Sequence, residues 1–266
     1  HLSPDLLQNV FLFRSLASAT SCKDALKSWS KVVSPSLNIC LADNKNKTGN
    51  IGYQMSGRIP KRKTPRGSEL YPLCGWTGDA DWDGYITGTD LPHTLNPPSG
   101  KIVSANHKVV DYRHYPHYLG NIWQDGYRAN TIEKFLAKKM AKAKGVDMDD
   151  CEEIQGCVHS DAGLQFVSHF KDISFPDKDV KDAISIMKNW NGKLTADSVG
   201  GCIYKVIFHF YIYYLFESVM GLSKLDGEKK AIVRESMIGH GFNVVLKAFN
   251  EFKGTFFLES VAQCSV

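Results

Sequence analysis

The sequence contains no Cys-x-x-Cys pair, although seven cysteines are scattered along its 266 residues. Paired cysteines mark zinc ribbons and thioredoxin-like redox sites, so neither class is supported. The irregular spacing instead predicts scattered buried thiols, with one or two disulfides left open if the protein is exported. An internal repeat, a low-complexity tract and an HExxH metal motif are also missing from the sequence.

A strong excess of one charge is missing as well. The 32 basic and 28 acidic residues leave a formal net charge of +4, too small to indicate a nucleic-acid partner. The one dense basic run, Lys61-Arg62-Lys63, has no interleaved aromatic residues and therefore predicts a solvated loop. Hydrophobic residues make up 43% of the chain and charged residues 23%, which is typical of a globular protein with a real core.

Long apolar runs are scarce. The most apolar stretch, residues 202–220, is interrupted by Lys205, His209 and Glu217. Because a membrane span needs about 20 mostly apolar residues, this stretch predicts a buried core helix. The sequence begins with His1 and shows no signal peptide, so we expect a piece of a longer precursor.

The local patterns predict a mixed helical and sheet structure. Apolar residues at helical spacing predict helices at residues 3–16 and, capped by Ser21, around Ala25, Leu26 and Trp29. A hairpin is expected from residues 38–42 and 51–55, followed by irregular strand and loop over residues 71–117. Further helices are expected at residues 119–140, 149–170, 179–190, 196–220 and 228–252.

One stretch, residues 96–106, contains prolines and a glycine that interrupt regular secondary structure. Pro97 and Pro98 stop regular structure, and Gly100 allows a turn that a side chain would hinder. Residues 102–105 then predict a short buried strand that ends at Asn106. Such an Asn is most simply a turn cap, but its amide N–H is also a standard donor to the oxyanion of acyl transfer.

Several motifs occur in one order along the chain, and together they resemble a known family. In this order and spacing they are similar to the β-chain of the penicillin acylase (penicillin amidase) family of N-terminal nucleophile hydrolases. The resemblance covers most of the chain and thins after about Leu222. Its motifs are Gly49-Asn50-Ile51-Gly52-Tyr53, Gly75-Trp76-Thr77-Gly78, Trp82-Asp83-Gly84-Tyr85-Ile86, Asn96-Pro97-Pro98-Ser99-Gly100, Ala105-Asn106, Gly126-Tyr127-Arg128-Ala129 and Trp190-Asn191-Gly192.

The resemblance implies a fold and two site residues. The expected fold is α+β, part of a four-layer αββα core with an added helical subdomain. Residues 1–118 would form the mixed strand and loop part of the core, and residues 119–266 the mainly helical subdomain. Asn106 would occupy the oxyanion-hole position and Arg128 would orient the site.

The resemblance also implies a reaction and its partners. The family hydrolyses amides with a Ser exposed at the N-terminus of the β-chain, and His1 has neither a hydroxyl nor a thiol. The nucleophile is therefore expected outside this chain, which alone should be inactive and should need the α-chain and the remaining β-chain. No cofactor and no nucleic acid are implied. Export is implied by the resemblance alone, and penicillins, acyl-homoserine lactones and other N-acyl amines remain open as substrates.

A competing motif overlaps the same region. Residues 79–90 follow the EF-hand loop pattern, with Gly84 at its turn and carboxylates at Asp79, Asp81, Asp83 and Asp90. Against calcium, Asp90 replaces the preferred Glu, and the glycines and proline before the loop oppose an entering helix. The alternative to the hydrolase is therefore a non-catalytic calcium-binding or structural acylase homologue.

Overall fold

The computed structural model describes residues 6–45, 49–65, 68, 72–86, 88–120, 123–142, 145–220 and 227, without the side chains of residues 6–9, 11 and 216–220. The chain divides into two compact units, His1–Trp123 and Gln124–Val266, and each is considered on its own. All the named strands among the described residues lie in the first unit, and five of the helices lie in the second. The mixture agrees with the α+β class predicted from the sequence.

The first unit opens with two helices, α1 (Leu6–Ala17) and α2 (Cys22–Trp29). The Asp24 backbone N–H donates to Ser21 Oγ at 3.2 Å, which confirms the cap predicted for α2. The helix packs closely on a strand, because a Cβ added to Gly52 would lie 2.9 Å from Leu26 Cδ1. The glycine therefore allows α2 to approach the sheet.

Two small sheets complete the first unit. Strands β1 (Asn38–Asp43) and β2 (Asn50–Met55) form the predicted antiparallel hairpin. The other strands are β3 (Ile59–Arg62), β4 (Trp82–Ile86) and β5 (His93–Leu95). Strand β5 adds to the other side of β2, while β3 and β4 pair as a separate ribbon. The core of this unit is built on a buried cluster of Tyr53, Met55, Ile86 and Leu91.

The second unit contains helices α3 (Tyr127–Met140), α4 (Met148–Gln155), α5 (Asp161–Ser168), α6 (Lys178–Lys188) and α7 (Val199–Met220). The helix predicted to start at residue 119 was placed too early, because it begins only after Gly126. The single helix predicted for residues 149–170 is wrong, since Gly156 caps the end of α4 and Ser160 caps the start of α5. The helix predicted for residues 228–252 lies outside the described residues.

An aromatic cluster forms the core of the second unit. Helix α7 contributes Tyr204, Phe208, Tyr211, Ile212 and Leu215 to this cluster. The helix predicted at residues 202–220 therefore packs one face into the core, while Val206, Phe210 and Tyr214 on its other side are exposed. Among the residues that the structure describes, no helix is long and apolar enough to cross a membrane.

A charged network joins α3 to α4. The Lys139 side chain is only 11% exposed and lies 2.9 Å from Asp150 Oδ1, whose side chain is 5% exposed. Lys142 Nζ donates to the same oxygen at 2.6 Å, and Glu153 pairs with Lys139 from the rim. The pKa of Asp150 is well below its usual value, mainly through the Lys142 hydrogen bond and then that of Lys139. This carboxylate is therefore ionised in the folded protein.

The cysteines differ from the prediction of buried thiols. Only Cys22 is buried among the six described, while Cys151 and Cys157 are half-buried and Cys40, Cys74 and Cys202 are exposed. All six are free thiols. The prediction failed because burial depends on which face of an element packs inward, and irregular cysteine spacing does not encode that face.

Candidate functional site

Asn106 has a left-handed backbone, with φ at 59°. Asn tolerates this conformation better than other residues with a Cβ, and such backbones recur at functional sites. The preceding Ala105 is buried, whereas Asn106 is exposed. Ile102 and Val109 on either side pack against the core cluster of the first unit. The exposed bend that carries Asn106 is therefore fixed at both ends by apolar contacts.

The strand predicted to lead into Asn106 is absent, because residues 102–105 have no assigned regular structure. A strand needs a neighbour to satisfy its backbone groups, and the described part of the first unit places none beside this segment. The irregular backbone still holds Asn106 at a defined position. Asn106 is thus presented by a bend and not by the end of a strand, and its assignment to the oxyanion hole stays a prediction.

The candidate calcium loop takes a different shape from an EF-hand loop. Its middle residues belong to strand β4, where Arg62 opposes Trp82 and Pro60 opposes Tyr85. An EF-hand loop instead wraps its ligands around one ion. Among the described residues, which include Asp79, Asp81, Asp83 and Asp90, no group of three or more His, Cys, Asp or Glu could hold a metal.

Arg128 lies in the first turn of α3, in the second unit, whereas Asn106 belongs to the first. Gly126 occupies the N-cap position without a side-chain cap, and Asp125 Oδ1 instead accepts the Tyr127 N–H at 3.2 Å. Arg128 is exposed and forms part of the wall of a cavity of about 560 Å³. That volume is typical of small-molecule sites.

The walls of the cavity come entirely from the second unit and combine two kinds of group. Aromatic and aliphatic surface is supplied by Tyr127, Ile132, Phe135, Ile154, Ala162 and Tyr204. Polar groups are supplied by Gln124, Asp125, Arg128, Thr131, Gln155, Cys157, His159, Ser160, Asp161 and Lys205. A few polar groups on an apolar wall are what an orienting small-molecule site requires.

Asp161 is the centre of the polar network on this wall. Lys134 Nζ lies 2.5 Å from its Oδ2, and His159 Nε2 lies 3.1 Å from its Oδ1. The hydroxyl of Thr131 donates to Oδ2 at a longer 3.5 Å. The hydrogen bond from Lys134 is the largest cause of the lowered pKa of Asp161. Asp161 therefore ties α3 to the start of α5 as an ionised acceptor.

The backbone around His159 is held by a second segment. Ser160 N–H donates to Gly192 O at 2.8 Å, and Leu194 N–H donates to Val158 O at 3.0 Å. Gly192 has φ at 81°, and a Cβ there would lie 2.7 Å from His159 Cε1. A side chain at residue 192 would therefore displace the imidazole.

Sequence reasoning missed His159, Asp161 and Tyr204 as members of one wall. A local signal existed for part of it, because Ser160 followed by Asp161 is a helix start. The Trp190-Asn191-Gly192 motif was recognised, but its contact with His159 depends on the fold. Neither pattern reports that the two segments pair.

The fold defines the class of protein. A solved thermostable penicillin G acylase from Alcaligenes faecalis matches 86% of this chain and 40% of its own, with a TM-score of 0.62 and 21% sequence identity. The predicted fold, α+β and similar to that of a penicillin acylase, is therefore confirmed. A profile of the penicillin amidase family matches residues 6–258, and the chain belongs to that family.

Two curated relatives are similar over parts of the chain. The acyl-homoserine lactone acylase QuiP of Pseudomonas aeruginosa (strain PAO1) is 29% identical over 210 residues, which are 74% of this chain and 24% of that protein. The penicillin acylase 2 proenzyme of Pseudomonas sp. (strain SE83) is 38% identical over 95 residues, which are 36% of this chain and 12% of that protein. The chain thus spans about a quarter or less of the length of these relatives.

Proposed function

We propose that this chain forms part of an amide hydrolase that cleaves a linear N-acyl amide into a carboxylic acid and an amine. Family membership supports the reaction class. The nucleophile is a Ser at the N-terminus of the β-chain, supplied outside these residues. The α-chain and the remaining β-chain are the partners, and the chemistry requires no cofactor.

Asn106 is the residue on which the proposal depends. Attack on an amide carbonyl creates a tetrahedral oxyanion, which needs a fixed hydrogen-bond donor. The left-handed, exposed bend at Asn106, anchored on both sides, is the observation that supports this role. Arg128 orients the site in this proposal, since its guanidinium keeps its charge at every working pH.

The test is Asn106→Gly in the complete precursor. Glycine adopts the left-handed backbone without strain, so the substitution removes the amide and leaves the loop relaxed. We expect a loss of about 10²-fold or more in kcat. Released amine would be measured with N-octanoyl homoserine lactone and penicillin G, the substrate types in the names of the relatives.

A matched control is Asn96→Gly. Asn96 also has a positive φ, at 49°, but its side chain accepts the Ile51 N–H at 3.0 Å and donates to Asn50 at 2.8 Å. We expect this variant to lose stability and keep its kcat. An equal loss of kcat in both variants would show that loop geometry, rather than the Asn106 amide, explains the result.

The calcium-binding alternative stays a separate prediction from the sequence. Calorimetry with millimolar Ca²⁺ on wild type and on an Asp79→Asn, Asp81→Asn double variant tests it directly. Absence of binding heat in the wild type would eliminate the calcium module. A precursor sequence without a Ser at the cleavage junction would instead favour a structural homologue over the hydrolase.

A further inference from the structure

The cavity in the second unit carries a balanced set of charges, of which the proposed hydrolysis gives a role only to Arg128. Arg128 and Lys205 are its cationic residues, and Asp125 and Asp161 are its acidic residues. One oxygen of Asp125 already accepts the Tyr127 N–H, and Asp161 is paired with Lys134. A wall with both signs of charge favours a ligand that has both hydrogen-bond donors and acceptors.

The tautomer of His159 follows from its partner. The ionised carboxylate of Asp161 only accepts hydrogen bonds, so Nε2 of His159 must carry a proton at their 3.1 Å contact. In the neutral imidazole, Nδ1 then has a lone pair and acts as an acceptor. Among the residues that the structure describes, this Nδ1 has no hydrogen-bond partner.

The imidazole is held in place before any ligand arrives. The rings of Phe135 and His159 lie nearly perpendicular with centroids 6.2 Å apart, and Gly192 lies against Cε1. The pairing of Ser160 with Gly192 fixes the backbone beside it. A polar group fixed in this way loses little conformational freedom on binding, which favours selectivity.

The apolar part of the wall suits a small ring or a short side chain. Tyr204 is buried and stacks on Trp190 with centroids 5.1 Å apart, so it backs this wall rigidly, while the half-buried Ile132 and Phe135 supply the accessible apolar surface. Burial raises the pKa of Tyr204 to about 12, and the nearby Asp125 contributes to the same shift. The hydroxyl therefore stays protonated at neutral pH.

We propose that this cavity binds a small α-amino carbonyl compound, an amino acid or its lactone, with the amine on His159 Nδ1 and Asp125. The carbonyl oxygen accepts from Arg128 or Lys205, and the ring or side chain lies on Ile132 and Phe135. This inference rests on the proposed function in one respect: such a compound is the amine half released from an N-acylated amino acid or amino-lactone.

The test measures binding without turnover. Titration calorimetry on the complete chain would compare L-homoserine lactone with γ-butyrolactone, which has the same ring and no amine. We expect the amine-bearing lactone to bind at least about 10-fold more tightly, because the acceptors His159 and Asp125 would otherwise stay unpaired.

Variants at His159 separate the acceptor from the packing. We expect His159→Leu to weaken binding of the amino-lactone about 10-fold, and His159→Asn to retain most of it, since an amide oxygen replaces Nδ1. His209→Leu is the matched control, because His209 lies on α7 and is not part of the cavity wall. Circular dichroism would verify that each variant is folded.

Three results would overturn the proposal: equal affinity for the two lactones, unchanged affinity in folded His159→Leu, or no binding heat with the amino-lactone. Loss of binding in His159→Leu with retention in His209→Leu would support it. Amide hydrolysis by the precursor is measured separately. Active precursor without lactone binding would refute only the cavity, and lactone binding with an inactive precursor would refute only the hydrolase.

Discussion

Phe166→Ala is the sharpest test of how the second unit is stabilised. The side chain of Phe166 is fully buried. Its ring centroid lies 5.1 to 5.9 Å from those of Phe170, Tyr204, Phe208 and Tyr211. Truncating a buried Phe costs about 3–5 kcal/mol, because apolar transfer energy is lost and a cavity remains. That loss is a large part of the roughly 5–15 kcal/mol by which domains are stable.

The measurement is urea unfolding of the complete chain followed by tryptophan fluorescence. Trp190 is the only tryptophan after residue 123, and it stacks on Tyr204 within the same cluster. Phe210→Ala is the control, since Phe210 is on α7 but 47% exposed, and it should cost less than about 1 kcal/mol. A loss below about 1 kcal/mol for Phe166→Ala, or equal losses for both variants, would refute this account of the core.

Three further predictions concern stability. Gly163→Ala should lower the melting temperature, because the added Cβ would lie 2.8 Å from the Trp190 ring. The overpacking costs about 1–3 kcal/mol, which exceeds the helix-propensity gain of about 1 kcal/mol. A higher melting temperature would contradict this prediction. Asp150 has a lowered pKa, chiefly through Lys142, so it stabilises the fold above about pH 3.9 and this contribution falls as the pH drops further. Asp150→Asn should therefore flatten the acid side of a stability-against-pH curve, and an unchanged slope would count against the network. The pKa of Asp43 is about 2, mainly because its carboxylate accepts the backbone N–H at the start of α2. Asp43→Asn should therefore reduce the stability of the fold at pH 7 and leave it nearly unchanged at pH 2.

The elements that sequence reasoning placed well are those with local causes. Ser21 caps α2 through a residue only three positions away, and strand β1 of the hairpin alternates in exposure along its length. Helix α7 was identified as a core helix because Lys205, His209 and Glu217 are incompatible with a membrane span. Each of these signals lies within one segment.

The errors arose where the outcome depends on distant residues or on a glycine that ends a helix. Residues 102–105 have strand-like side chains but no assigned strand. Gly156 and Ser160 divide what the apolar spacing suggested was one helix. Family motifs identified the fold because they carry long-range information that single-residue propensities lack.

In the candidate site, too, sequence motifs identified single residues but not the cavity that depends on distant contacts. Asn106 and Arg128 were named from motifs, and the structure adds the left-handed backbone of one and the cavity beside the other. The cavity itself was not predicted, because His159 meets Gly192 only through pairing of segments about thirty residues apart. No short sequence window contains both.

The three-way engagement of Asp161 has an evolutionary consequence. One carboxylate serves Lys134, Thr131 and His159 at once, so replacing it would leave a cation and an imidazole without their acceptor in a single step. Substitutions at these positions should therefore be strongly epistatic, with each change tolerated only in certain backgrounds. A combinatorial library over these positions should yield survivors as matched sets of residues, and a lineage that drifts at one of them would be committed to change at the others.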